Sequence, residues 1–122
     1  MYRESFPIIA VPDVAHALRF YRDLVGAEVT YQFPDEGPPD FVSLTLGGTK
    51  LGIGRDPEAT EPSRRFALWL YVDDCDAAVD QLRAAGVPVD VEPTDQPWGE
   101  RTAQVRDFDG NVVHLGQPAA AP

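Results

Sequence analysis

Residues Pro97–Leu115 read PWGERTAQVRDFDGNVVHL, and the fold can be worked out from this stretch. The acidic, glycine-containing cluster Asp107-Phe108-Asp109-Gly110-Asn111 sits between Val105 and the run Val112, Val113, Leu115. A turn cluster between β-branched runs predicts a hairpin. The stretch opens on Trp98-Gly99, and its second predicted strand carries His114, one of only 2 histidines in the chain.

Upstream of this hairpin the chain repeats itself. Phe6–Val11 is a short apolar run closed by Pro12-Asp13, which predicts a strand and a helix N-cap at Asp13. Val14, Leu18, Tyr21 and Val25 recur at helical spacing before Gly26. Ala27–Phe33 alternates as a second strand, the proline-rich Pro34–Asp40 is a loop, and Phe41–Leu46 with Lys50–Ile53 forms a hairpin across Gly47-Gly48-Thr49. Arg55–Arg65 has no periodicity and reads as a linker. The same order then starts again. Phe66–Val72 is a strand, Asp74 an N-cap, and Cys75, Ala78, Val79 and Leu82 a helical stripe ending at Gly86. Val87–Val91 is the counterpart of Ala27–Phe33. Phe6 matches Ala67, Val11 matches Val72 and Leu18 matches Val79 at a spacing of 61, while Gly52 and His114 lie 62 apart. The fold class is therefore α+β, built from two tandem βαβββ modules.

Composition narrows the function. A chain of 122 residues with 43% hydrophobic and 25% charged residues is ordinary for a soluble globular protein of about one domain. No apolar run approaches the roughly 18 residues of a membrane span, and the first residues lack a signal-peptide core, so a cytoplasmic protein with no membrane partner is expected. The single Cys75 makes no internal disulfide, and no CxxC pair is present to hold zinc. A net charge of −10 repels phosphate backbones, so no nucleic-acid partner is expected, and a neutral or cationic ligand is more compatible.

The duplicated unit, with D-x-D-G before the last strand (Asp107, Asp109, Gly110) and V-x-D before each helix, resembles the vicinal oxygen chelate superfamily of glyoxalases, bleomycin-resistance proteins and dioxygenases. The likeness covers roughly Ser5 to Gln117. It implies one domain over residues 1–122, with module 1 about 5–54, a linker about 55–65 and module 2 about 66–117. It also implies a curved mixed sheet, a cup with the helices on its outer face, and a homodimer whose cup forms within one chain or across two. Family enzymes hold a metal at one position on the first and last strand of each half. Here those positions fall on Phe6, Gly52, Ala67 and His114. Only His114 is a ligand type, and one imidazole does not hold a catalytic divalent metal, so no metal and no cofactor are expected.

Other chemistry-bearing residues have structural explanations. His16 reads as a solvated helix residue, Asp73 and Asp74 as helix-opening acids, Asp107 and Asp109 as turn acids, and Cys75 as an inert core thiol. No Ser-His-Asp or Cys-His nucleophile and no phosphate loop can be read, so no catalytic residue is assigned. Three roles stay open for His114: a pocket-lining hydrogen-bonding group, a structural histidine or a catalytic base. If Ala67 faces the cup, so do Trp69 and Tyr71, leaving Leu68 and Leu70 for the helices. Phe6 brings Ile8 with it, and Gly52 brings Phe41 and Ser43 across the hairpin. The candidate ligand-binding set is thus Phe6, Ile8, Phe41, Ser43, Gly52, Ala67, Trp69, Tyr71, Trp98 and His114, with the rings either receiving a flat aromatic guest or filling the cup. Three functions compete. The first is a binding protein of the bleomycin-resistance type, sequestering an aromatic natural product or antibiotic, neutral or cationic, without metal or catalysis. The second is a metal-dependent lyase, isomerase, dioxygenase or thiol transferase with an irregular site. The third is a structural or regulatory dimer without a ligand.

Overall fold

The structure is a computed structural model that describes residues 1–63 and 65–120; Arg64, within the expected linker, lies outside them. The chain forms two compact units, Met1–Thr60 and Glu61–Pro122. In the first, β1 (Ile8–Val11), β2 (Glu28–Phe33), β3 (Phe41–Leu46) and β4 (Thr49–Arg55) make a sheet of order β1-β4-β3-β2. In the second, β5 (Leu68–Tyr71), β6 (Val89–Asp95), β7 (Arg101–Arg106) and β8 (Val112–Gln117) make a sheet of order β5-β8-β7-β6. Each sheet is mixed, with its first strand parallel to its last and the other pairs antiparallel. The α+β class and the tandem βαβββ order expected from the repeat are present.

Both helices begin as the sequence predicts. Asp13 Oδ1 accepts from the His16 backbone N–H at 3.2 Å, and Asp74 Oδ1 accepts from that of Ala77 at 3.1 Å. The second helix, α2 (Cys75–Ala84), is regular, and its Cys75, Val79 and Leu82 are buried. The first is not. α1 (Val14–Leu18) passes into a π-helical segment, Arg19–Leu24, where Val25 N–H donates to the Phe20 carbonyl five residues back. Gly26 lies thirteen residues after Asp13, whereas Gly86 lies twelve after Asp74. The wider turn absorbs that extra residue. It also buries Phe20 beside Tyr21, the two rings edge to face at 4.8 Å, where a regular helical stripe includes only Tyr21.

Strand starts and ends differ in places from the sequence expectation. β1 begins at Ile8, because Pro7 accepts from the Gly52 N–H but has no N–H of its own to continue the ladder to Phe6. β5 likewise begins at Leu68, leaving Phe66 and Ala67 ahead of it. β6 runs on to Asp95 through Pro93, which an edge strand tolerates where its pairing is irregular.

Each sheet has one face against its helix and one open face. α1 packs on β4, and α2 packs on β6, β7 and β8. The core of the first unit includes Val11, Val42, Leu44 and Ile53, and that of the second includes Leu70, Val105, Val113 and Leu115. Cys75 is buried, and that burial raises its thiol pKa. Among the described residues no helix is long and apolar enough to cross a membrane.

Candidate ligand-binding site

Register fixes which side chains share an open face, because residues paired across strands project to the same side. In the first sheet the row Ile8, Gly52, Ser43, Tyr31 crosses all four strands, and Ala10, Gly54, Phe41, Phe33 forms the row beside it. Gly52 is covered: a β-carbon placed there would lie 3.0 Å from Ile8 Cγ1 and 3.0 Å from Phe41 Cζ. Ile8 and Phe41 therefore take the space that a side chain at residue 52 would need. Ser43 is buried, whereas Tyr31 and Phe33 are exposed.

In the second sheet the corresponding rows are Trp69, His114, Gln104 and Tyr71, Gly116, Thr102. The alternation read from the sequence is seen here, with Leu70 only 9% exposed between Trp69 at 41% and Tyr71 at 62%. Trp69 stacks on His114 with ring centroids 5.8 Å apart and meets Tyr71 edge-on at 5.8 Å. Its indole lies over Gly116, where an added β-carbon would fall 2.5 Å from Cζ2. Trp98, 61% exposed in the turn between β6 and β7, donates from Nε1 to Glu100 Oε1 at 2.7 Å. Hydrogen bonding to the same carboxylate raises the pKa of the Tyr71 phenol, with burial and charge adding to it. His114, Trp69, Tyr71, Glu100 and Trp98 thus form one continuous cluster in the second unit.

The expected site residues therefore sort by unit. Ile8, Phe41, Ser43 and Gly52 share the first open face, and Trp69, Tyr71 and His114 share the second. Phe6 and Ala67 lie just ahead of β1 and β5, and the Phe6 ring sits under Lys50 Nζ, 4.7 Å from its centroid. Sequence reasoning missed Tyr31, Phe33 and Glu100. Alternation from the Ala27–Phe33 strand contains the first two. Glu100 depends on the turn that brings Trp98 back over the strand start, which pattern alone does not give.

The residues present do not fit a family-type metal. Phe6, Gly52 and Ala67 offer no donor side chain, and among the described residues no three His, Cys, Asp or Glu side chains converge. A cleft of about 410 Å³ does exist in the first unit, between the start of α1 and the loop before β3, lined by Pro12, Asp13, Val14, Ala15, Pro38, Pro39, Asp40 and Arg55. It has no aromatic ring to grip a flat guest. The open face of the second sheet combines rings with a carboxylate and an imidazole, and it is the stronger candidate.

Solved structures with this fold include TioX from Micromonospora sp. ML1, 22% identical over 95% of this chain and 98% of that one, with a TM-score of 0.78. TnmS3, an antibiotic binding protein from Streptomyces sp. CB03234, is 30% identical over 98% and 99%, with a TM-score of 0.69. A lactoylglutathione lyase from Agrobacterium tumefaciens is 22% identical over 94% and 92%, with a TM-score of 0.71. A comparison with curated proteins gave no match. The family profile matches residues 6–115, nearly the whole repeat, and the chain belongs to the Glyoxalase/Bleomycin resistance protein/Dioxygenase superfamily.

Proposed function

We propose that this protein binds and sequesters a small planar aromatic molecule, a natural product or antibiotic, without a metal and without catalysis. The observation that carries the reading is the exposed ring cluster of Trp69 and Tyr71 beside His114 on one sheet face, with the exposed Trp98 in the adjoining turn. Large rings left exposed together favour stacking with a flat guest, since each buries much apolar area when covered. The 30% identity to an antibiotic binding protein supports the same reading. In this proposal His114 lines the site and hydrogen-bonds the guest, the protein acts in the cytoplasm as a homodimer, and binding alone confers resistance.

The chain's 2 tryptophans both lie in the cluster, so their fluorescence reports on it directly. A screen of planar aromatic antibiotics should produce saturable quenching with at least one compound, at a Kd of about 10 μM or tighter. Absence of saturable quenching up to the solubility limit of every compound would remove the proposal. The enzyme alternative keeps one supporting observation, the imidazole of His114 on the open face. Metal analysis and a chelator titration separate the two, since a stoichiometric bound metal and a melting temperature that falls on chelation would favour the enzyme.

A further inference from the structure

Glu100 is the carboxylate beside the rings, and among the described residues no cation compensates its charge. It accepts from the Trp98 indole at 2.7 Å, a neutral donor that holds the carboxylate in place, and it lies close enough to Tyr71 to raise the pKa of that phenol. The arginines of β7 are engaged elsewhere. Arg101 pairs with Asp76 at 2.7 Å and Asp95 at 3.1 Å, and Arg106 binds Asp90 and the Gly110 carbonyl. Among the described residues no cation stands within ion-pair distance of Glu100.

We infer that Glu100 sets the ligand specificity of this face, selecting aromatic guests that carry a positive charge at or beside the ring. The inference rests on the aromatic-binding reading above and adds the guest's charge. A cationic nitrogen is attracted by an indole face and meets the Glu100 carboxylate beside Trp98, and a charge-assisted hydrogen bond is roughly twice as strong as a neutral one. The chain's net charge of −10 raises the local concentration of such a guest and works against an anionic one.

The test uses two probes of nearly the same shape: 9-aminoacridine, a cation at neutral pH, and acridine, which is neutral there. Both are titrated by tryptophan quenching into the wild-type protein, Glu100→Gln and Trp98→Phe, with folding checked by circular dichroism. Wild type should bind 9-aminoacridine about tenfold more tightly than acridine, the equivalent of one added charged hydrogen bond. Glu100→Gln keeps an oxygen acceptor for the indole and removes the charge, so the preference should shrink to about twofold while acridine affinity stays within about twofold of wild type. Trp98→Phe removes the donor and keeps the charge, so the preference should survive. Equal binding of the two probes by wild type, or a Glu100→Gln protein that keeps the preference, overturns the inference and leaves the aromatic-binding reading standing. A parallel loss of both probes in Glu100→Gln also overturns it, assigning Glu100 to the positioning of Trp98. Failure of wild type to bind either probe, together with a negative antibiotic screen, removes both readings.

Discussion

At matching places in the two sheets the backbone pairing is the same and the side chains differ. Ile8 faces Gly52 in the first sheet as Trp69 faces His114 in the second, and Gly54 occupies the place of Gly116. The first face covers its buried glycine with its own Ile8 and Phe41. The second carries an indole over its glycine and adds an imidazole, a carboxylate and the Gln104 amide. The helix-bearing faces, which must pack, are apolar in both sheets, whereas the open faces differ. Polar chemistry accumulated on one of them.

The turns leading into the last strands differ as well, and breaking them should have the largest effect. β3 and β4 are joined by Gly47-Gly48 alone, whereas residues 107–111 join β7 and β8 around the buried Asp107. Its carboxylate accepts from the N–H groups of Asp109 at 2.9 Å and Asn111 at 2.8 Å, and from Asn111 Nδ2 at 3.0 Å. Asp107→Ala should cost about 2–4 kcal/mol in urea unfolding, because three charge-assisted bonds are lost and part-buried donors are left without an acceptor. Gly47 has φ +59, so Gly47→Ala should cost only about 1 kcal/mol. Equal costs would mean the two turns are equivalent supports.

Next in size is the contribution of Trp69 to binding. Trp69→Ala should weaken a quenching ligand by about 1–3 kcal/mol, roughly five- to 150-fold, with Trp98 as the remaining reporter. The fold should persist, since Leu70, not Trp69, serves the helix-bearing side. An unfolded variant would make Trp69 core; unchanged affinity would place the guest elsewhere.

The first face offers a finer contrast. Neither Gly52 nor Gly54 has a positive φ, so alanine suits both backbones. A β-carbon at Gly54 would meet Ile8 and Phe41 at 3.7 Å, ordinary contact, whereas at Gly52 it would meet them at 3.0 Å. Gly54→Ala should raise stability by about 0.5 kcal/mol through the stiffer unfolded chain, and Gly52→Ala should lower it by about 1 kcal/mol through overpacking. Two stabilising substitutions would show that Ile8 and Phe41 yield freely and that the first face is as open to a guest as the second.

Which parts of this were legible in the sequence follows from how local each cause is. The N-caps Asp13 and Asp74, the strand Phe41–Leu46 and the inward Leu70 beside the outward Trp69 follow from residue type and period. The π-helical segment was written as a one-residue excess between Asp13 and Gly26, yet only the packing of Phe20 and Tyr21 shows where it is absorbed. The covering of Gly52 depends on side chains from two other strands. The position of Glu100 depends on a turn whose path composition does not fix.

The smallest expected effect concerns ion pairs and acid. In the second unit Asp76 is held below the usual carboxylate range chiefly by its hydrogen bond from Arg101, and Asp90 chiefly by that from Arg106; in the first, Asp23 is lowered by Arg22. A folded-state pKa below the unfolded one means that the unfolded chain binds the proton more tightly. The stabilisation is therefore present above the ordinary carboxylate value of about 3.9 and is lost as pH falls through each lowered value. All three groups face solvent, so the loss should be slight and smaller still at 150 mM salt than at 10 mM, ionic strengths with Debye lengths of about 8 and 30 Å. Amide hydrogen exchange between pH 4.5 and 2.5 at low salt should show protection falling further in β6 and β7, which hold Asp90, Arg101 and Arg106, than in β2 and β3. Carboxyl NMR titrations give the direct check. Ordinary midpoints for Asp76 and Asp90 would mean that these pairs do not persist in solution.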